Sequence, residues 1–254
     1  MNTAIIVAAG SGKRFGAKTP KQFLKLGNKP LLIHTLDRFQ NCPLIDQIIL
    51  VLPANQTAEF LQIVSKYGIT KLTKIVAGGA TRAESVWKGF KLIQSVKAEI
   101  VAVHDGARPL VTSEEISECI AKAKETGAAI LVAPVTDTIK EIRDGKIIQT
   151  IDRNTLRRAL TPQCFRYQIL CKAFEKIEDL SESATDESFL VEKLGVEVSI
   201  VEGSARNTPR GKRRRRRDAP RPRQTLGAAR GREAPSGPGR ETERRAARGR
   251  DHTR

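Results

Sequence analysis

Long apolar runs are missing from this chain of 254 residues. No window approaches the roughly 20 consecutive apolar residues of a membrane-spanning helix, and the first residues form neither a basic leader nor a long apolar stretch. The expectation is a soluble, cytoplasmic protein without a membrane partner. The four cysteines, Cys42, Cys119, Cys164 and Cys171, form no CxxC pair and no metal-ligand spacing. That argues against a zinc site or a disulfide framework and for reduced thiols packed in a core. A Ser/His/Asp or Cys/His constellation is also lacking, so a protein nucleophile with its own base is not the expected chemistry.

What is present is unevenly distributed. The formal charge of +17 combines two unlike parts. Residues 208–254 hold 17 Lys and Arg against 5 Asp and Glu, which leaves 28 against 23 for residues 1–207. From Thr208 onward Leu226 is the only large aliphatic residue, and aromatics are absent. Such a segment cannot bury enough apolar area to offset the entropy of ordering it. Residues 208–254 are therefore expected to be a disordered Arg-, Pro- and Gly-rich tail. The run Arg213–Arg217 could bind nucleic acid through phosphate charge alone, without aromatics to stack bases. Residues 1–207 suffice for one domain with a full core.

Within that domain, apolar strands alternate with amphipathic helices. Strands are expected at 4–8, 47–53, 73–77, 99–104, 129–135 and 196–202. Helices are expected near 31–41, 56–66, 82–94, 113–126 and 167–178, the fourth opened by a capping box at Thr112–Glu115. Strands without polar alternation, each followed by a helix, predict an α/β fold with a mostly parallel sheet covered on both faces. Ligands of such sheets bind beyond the strand C-termini. Between 136 and 160 the alternation breaks. Two short strands flank Arg143-Asp144-Gly145-Lys146 and predict a β-hairpin with an Asp-Gly turn. A lone hairpin is marginal, so residues 136–160 are read as an arm that packs on a second subunit.

The first strand runs into Ala8-Ala9-Gly10-Ser11-Gly12-Lys13-Arg14, followed by Pro20-Lys21-Gln22. A glycine-rich turn there can bring backbone N–H groups against a phosphate chain. The two familiar nucleotide patterns do not fit. A P-loop needs its second Gly where Phe15 stands, and the dinucleotide fingerprint needs its third Gly one place before Gly16. The loop is similar to the signature loop of sugar-nucleotide pyrophosphorylases and cytidylyltransferases.

The resemblance widens along the chain. It is carried by Gly78-Gly79-Ala80-Thr81-Arg82-Ala83-Glu84-Ser85-Val86, Val103-His104-Asp105-Gly106-Ala107-Arg108-Pro109, Ala133–Lys140, Asp152-Arg153, Leu160-Thr161-Pro162-Gln163, Thr185-Asp186-Glu187 and Val201-Glu202-Gly203. Together with the first loop these resemble the 2-C-methyl-D-erythritol 4-phosphate cytidylyltransferases over residues 1–207. Ribitol 5-phosphate cytidylyltransferases share nearly the same loops. The resemblance implies a Rossmann-like nucleotidyltransferase domain with a protruding β-arm. It also implies a homodimer and transfer of CMP from CTP to the polyol phosphate with Mg²⁺. It assigns Arg14 and Lys21 to catalysis. It places Ala8, Ala9, Gly10, Ser11, Gly12, Gly79, Ser85, Asp105 and Ala107 at CTP, with Asp105 also toward the Mg²⁺ on the CTP phosphates. It places Arg108, Thr138, Arg153, Thr161 and Thr185 at the sugar phosphate, with Arg153 entering the partner's site.

Other residues have plainer readings. His104 is read as a satisfied histidine at a sheet end, Trp87 as helix packing, and Arg82 as an anchor of the Gly78-Gly79 turn. After Asn207 the resemblance stops. The family continues with Ile-Lys and a closing helix, whereas this chain continues Thr208-Pro209-Arg210. An inactive truncated enzyme with a nucleic-acid-binding tail is therefore the rival expectation.

Overall fold

Apolar alternation translates into two packed faces on one twisted sheet. A computed structural model describes residues 1–10, 24–176 and 186–207. In chain order the elements are β1 (Asn2–Val7), β2 (Lys25–Leu26), β3 (Lys29–Pro30), α1 (Leu31–Gln40), β4 (Gln47–Leu52), α2 (Thr57–Val64), β5 (Leu72–Ala77), α3 (Arg82–Phe90), β6 (Ile100–Asp105) and α4 (Ser113–Thr126). They continue with β7 (Ala128–Pro134), β8 (Ile139–Arg143), β9 (Lys146–Ile151), β10 (Arg157–Arg166), α5 (Tyr167–Glu175), α6 (Glu187–Glu192) and β11 (Ser199–Glu202).

Seven strands form the main sheet in the order β11-β7-β10-β6-β1-β4-β5. β1 pairs in parallel with β4 and β6, β4 with β5, and β11 with β7. β1 is buried on both faces, which suits its apolar run Ala4–Val7. Ala4 and Ile6 point into a core built with α1, α2 and α4. Ile5 points into a second core built with α3, α5 and α6. In that second core the rings of Phe90, Trp87, Tyr167 and Phe174 stack or tilt against one another at 4.8–5.7 Å between centroids. Trp87 is thus a packing residue, and truncation of a ring such as Phe90 costs about 3–5 kcal/mol. Gly89 lets α3 lie close to the sheet, since a Cβ there would stand 2.9 Å from Ile5 Cγ2.

The capping box is present: Thr112 Oγ1 accepts from Glu115 N at 3.2 Å, and Glu115 Oε2 accepts from Thr112 N at 2.9 Å. Cys42, Cys119 and Cys164 are buried free thiols, and Cys171 is partly buried. The hairpin is also present, as a separate two-stranded sheet of β8 and β9. Its turn has φ of 49° at Asp144 and 74° at Gly145, the twist that favours an Asp-Gly pair.

Three features differ from the sequence reading. The arm is shorter than 136–160, because residues 157–160 already belong to β10. β10 itself is a ten-residue strand, antiparallel to both neighbours, at the middle of the sheet. Pro162 and the polar pair Thr161 and Gln163 hide it from a search for apolar runs. A register shift between Ala159 and Gln163 accommodates them. The short helix α6 was also not anticipated; Asp186 caps it, accepting from Phe189 N at 3.1 Å.

Candidate active site

Parallel pairing brings the ends of β1, β4, β5 and β6 to one edge of the sheet. Backbone hydrogen bonds continue past those ends, from Ala8 N to Val51 O, from Gly78 N to Leu52 O and from Gly106 N to Val7 O, each 2.8 Å. Ala8 and Ala9 therefore lie between two glycine turns. A Cβ on Gly106 would stand 2.9 Å from that of Ala8, and one on Gly78 would collide with that of Ala9. The sequence demands small residues at all four places.

The Gly78-Gly79 turn is fixed by α3. Ser85 is buried, donates to Thr81 O at 2.8 Å and accepts from Gly79 N at 3.0 Å. Lys88 Nζ reaches Gly78 O at 3.2 Å. Arg82 is not the anchor of this turn, contrary to the sequence reading. It crosses to Asp105 and Glu187.

Asp105 closes β6. Its Oδ1 accepts from Arg82 Nε at 3.2 Å and its Oδ2 from Arg108 Nε at 2.9 Å. Burial opposes ionisation of Asp105, but Arg82 and Arg108 outweigh it and hold the carboxyl below its ordinary range. Arg82 Nη1 meets both oxygens of Glu187 at 2.8 Å. The Glu187 side chain is only 1% exposed, against 27% for Asp105. Burial pushes the Glu187 carboxyl up, and Arg82 opposes the rise. Burial likewise works against the charge on Arg82, but the two carboxylates outweigh it and raise its affinity for the proton. Removing one partner of a buried pair like this costs about 3–5 kcal/mol.

A second set of hydrogen bonds holds the Asp105 backbone. Asp105 N donates to Thr161 Oγ1 at 3.2 Å, and Thr161 Oγ1 lies 3.0 Å from His104 Nδ1. His104 Nε2 lies 3.1 Å from Arg108 O. A carbonyl only accepts, so the proton sits on Nε2 and Nδ1 accepts from the Thr161 hydroxyl. Burial pushes the imidazole down to about 4, so it stays neutral near pH 7. Arg108 is fixed further by donating from Nη1 to Asn207 O at 3.0 Å, and Asn207 Nδ2 donates to Thr161 O at 2.8 Å. Ala107 lies in the same turn, between Gly106 and Arg108.

Thr138 and Arg153 sit elsewhere, at the base of the arm. With Thr150, Ile151, Asp152 and Asn154 they line a cleft of about 310 Å³. Arg153 Nη1 donates to Thr136 O at 3.0 Å, and among the described residues neither side chain bonds to the Asp105 group. Thr161 is 3% exposed, with its hydroxyl committed to Asp105 and His104. Ser11, Gly12, Arg14, Lys21 and Thr185 lie outside the described residues, as does the tail from Thr208; Gly10 is the last described residue of the first loop. Sequence reasoning did not find the pairing of Arg82 with Glu187, or the hold of Gln163 on α6. Gln163 Oε1 accepts from Glu187 N at 3.1 Å and from Ser188 N at 3.0 Å, and Gln163 Nε2 donates to Asp186 Oδ2 at 2.8 Å. The signal was only indirect, in two short motifs containing polar residues that the sheet buries.

The arrangement has relatives. A family model described as 2-C-methyl-D-erythritol 4-phosphate cytidylyltransferase matches residues 2–209. A protein of that name from Geobacter metallireducens is 42% identical over 207 residues, covering 80% of this chain and 89% of the relative. One from Syntrophus aciditrophicus is 43% identical over 206 residues, covering 80% and 88%. Among solved structures, a 4-diphosphocytidyl-2C-methyl-D-erythritol synthase from Anaerococcus prevotii superimposes with a TM-score of 0.72 at 30% identity, covering 82% of this chain and 89% of that one. The Francisella tularensis 2-C-methyl-D-erythritol 4-phosphate cytidylyltransferase gives 0.69 at 30%, covering 84% and 94%. The overall fold is therefore shared with solved members, and the chain is a member of the 2-C-methyl-D-erythritol 4-phosphate cytidylyltransferase family.

Proposed function

We infer that the protein is a nucleotidyltransferase that moves CMP from CTP to 2-C-methyl-D-erythritol 4-phosphate, giving 4-diphosphocytidyl-2-C-methyl-D-erythritol and pyrophosphate in isoprenoid biosynthesis. The family match favours this acceptor over ribitol 5-phosphate. In the site itself, the observation that carries the reading is the Asp105 carboxylate held between Arg82 and Arg108 at the end of β6, beside the glycine turns packed closely on Ala8 and Ala9.

The chemistry explains why no base is needed. A phosphate oxygen of the acceptor attacks the α-phosphorus of CTP, the bond to the bridging oxygen breaks, and the electron pair leaves with pyrophosphate. The nucleophile is already ionised near neutral pH. His104, buried with both nitrogens engaged, needs no role in proton transfer. What remains is to align two anions and absorb charge, which is the work of fixed cations and backbone donors. We assign Arg14 and Lys21 to the triphosphate, the backbone of Gly10–Gly12 to the same chain, and Ala8, Ala9, Gly79, Ser85 and Ala107 to the nucleotide. Arg108, in a fixed rotamer beside Asp105, faces both substrates.

Enzymes of this family are metal-dependent. Among the described residues no group of three or more His, Cys, Asp or Glu could by itself hold an ion. Mg²⁺ typically needs only one or two carboxylates when substrate phosphates supply further oxygens. Asp105 fits that role: it is partly exposed, and among the described residues each oxygen accepts one hydrogen bond, which leaves each a further lone pair. We propose Mg²⁺ at Asp105, where it would neutralise charge developing on the phosphates.

A homodimer completes the proposal. Ile142, Ile147 and Ile148 on the arm are 51–65% exposed. A partner covering them would let Arg153 and Thr138 reach its site from the arm's base; Thr185 stays assigned to the acceptor's side, whereas the buried Thr161 hydroxyl holds Asp105 and His104 and acts behind the site instead of touching the acceptor. The four free thiols support a reducing, cytoplasmic setting. Among the described residues no helix is long and apolar enough to cross a membrane. Purified protein with CTP and Mg²⁺ should release pyrophosphate with 2-C-methyl-D-erythritol 4-phosphate. Faster release with ribitol 5-phosphate would overturn the choice of acceptor.

A further inference from the structure

The cluster at the end of β6 contains two guanidinium groups and two carboxylates, and one of the four has no access to any substrate. Glu187 is 1% exposed, against 29% for Arg82, 27% for Asp105 and 13% for Arg108. Its two oxygens both go to Arg82 Nη1, leaving only Nε of that guanidinium on Asp105. The position of Glu187 is itself fixed by Gln163, which accepts from its backbone N–H and from that of Ser188. We propose that Glu187 is a positioning residue that takes up the charge of Arg82, so that Asp105 stays available to a divalent cation on the triphosphate.

The argument is electrostatic. Without Glu187, Arg82 would carry an uncompensated charge in a poorly solvated place, with Asp105 as its remaining anionic partner. A guanidinium turned fully onto Asp105 competes with a cation for the same oxygens. Arg82 would then also attract the triphosphate directly. The two effects oppose each other in overall CTP affinity, but they separate in the metal increment, the ratio of CTP affinity with and without the ion. The inference rests on the proposed role of Asp105 toward the cation.

The test measures CTP binding calorimetrically with and without Mn²⁺, and Mn²⁺ bound in the ternary mixture by its electron-spin resonance signal. The variants are Glu187→Gln, Arg82→Gln/Glu187→Gln and Asp105→Asn, each checked by thermal melting. The Glu187→Gln protein should lose about tenfold of the metal increment. The double variant, which has neither charge, should recover the increment to within about threefold of the parent while remaining less stable. Asp105→Asn should abolish the increment. An unchanged increment in Glu187→Gln, with the increment lost in Asp105→Asn, overturns the compensating role alone. A double variant that folds yet binds Mn²⁺ no better than the single one does the same, as do two variants that both fail to fold, since the pair is then architectural. An unchanged increment in Asp105→Asn overturns the cation reading itself and the inference with it.

Discussion

The end of β6 and the base of the arm are built on opposite plans. At the end of β6, Asp105, Arg82, Arg108, His104, Thr161, Asn207 and Glu187 are joined by hydrogen bonds within a single chain, with the buried Asn207 Oδ1 left unpaired. At the arm, Thr138 and Arg153 line an open cleft, and the neighbouring isoleucines face outward. The charged groups of the first region are held in place before any ligand arrives, as electrostatic preorganisation requires. The second has exposed apolar surface and a cation that, among the described residues, bonds to a single backbone carbonyl. The difference teaches that residues of one expected substrate site can have different structural origins. Some are set by the fold of one chain, and others, in the proposed homodimer, would be completed by association.

Substitutions at the two regions should therefore fail in different ways. The largest effect is expected at Asp105. Asp105→Asn should lower turnover by about 10²–10³-fold, the usual loss for one preorganised charge contact, without changing the association state. Steady-state pyrophosphate release and sedimentation would check both halves. Next is His104, through pH and stability. Unfolded, its imidazole takes up a proton near 6.5; folded, only near 4. Between those values the unfolded chain holds the extra proton, so the stability present above 6.5 is lost as the pH falls toward 4. The loss is about 3 kcal/mol, and urea melts of His104→Gln should show a much smaller one over the same range. At the arm, Arg153→Ala should leave the KM for CTP and the melting temperature nearly unchanged. It should raise the KM for the polyol phosphate by about 10–150-fold, the value of one charge-assisted contact. The smallest effect on folding belongs to Ile142→Ser/Ile147→Ser. Both side chains are exposed, so the stability of one chain should move by no more than about 0.5 kcal/mol. Sedimentation should nonetheless show a weakened dimer. A large loss of chain stability would mean that the arm packs on its own subunit.

The same contrast explains what was legible in the sequence. β1, β4, β6 and β7 each carry an apolar run of four or more residues, the mark that burial on both faces leaves on an interior strand, and only the edge strand β5 interrupts its run with the exposed Thr73 and Lys74. The Asp144-Gly145 turn and the Thr112–Glu115 box are local, so residue type alone reveals them. β10 carries Thr161, Pro162 and Gln163 into the sheet, and its polar residues are there to hold Asp105 and α6 rather than to fill a core. That purpose has no local signature. Asp105 and Arg108 were visible as one short motif. The ion pair between Arg82 and Glu187 spans 105 residues, and a single sequence carries no trace of such a pairing. The first loop shows the reverse case: Arg14 and Lys21 are conspicuous in sequence and lie outside the described residues.

The shared-site account is tested most directly by mixing two defective proteins. Asp105→Asn and Arg153→Ala are purified separately, each with low turnover at limiting polyol phosphate, then combined and left to exchange subunits. If Arg153 serves the partner's site, each mixed dimer pairs an intact Asp105 with an intact Arg153 at one of its two sites. Turnover should then rise to about a quarter of the parent's at equal mixing. Turnover no higher than the average of the two separate proteins, under conditions where exchange is complete, would place Arg153 in the site of its own chain and contradict the account.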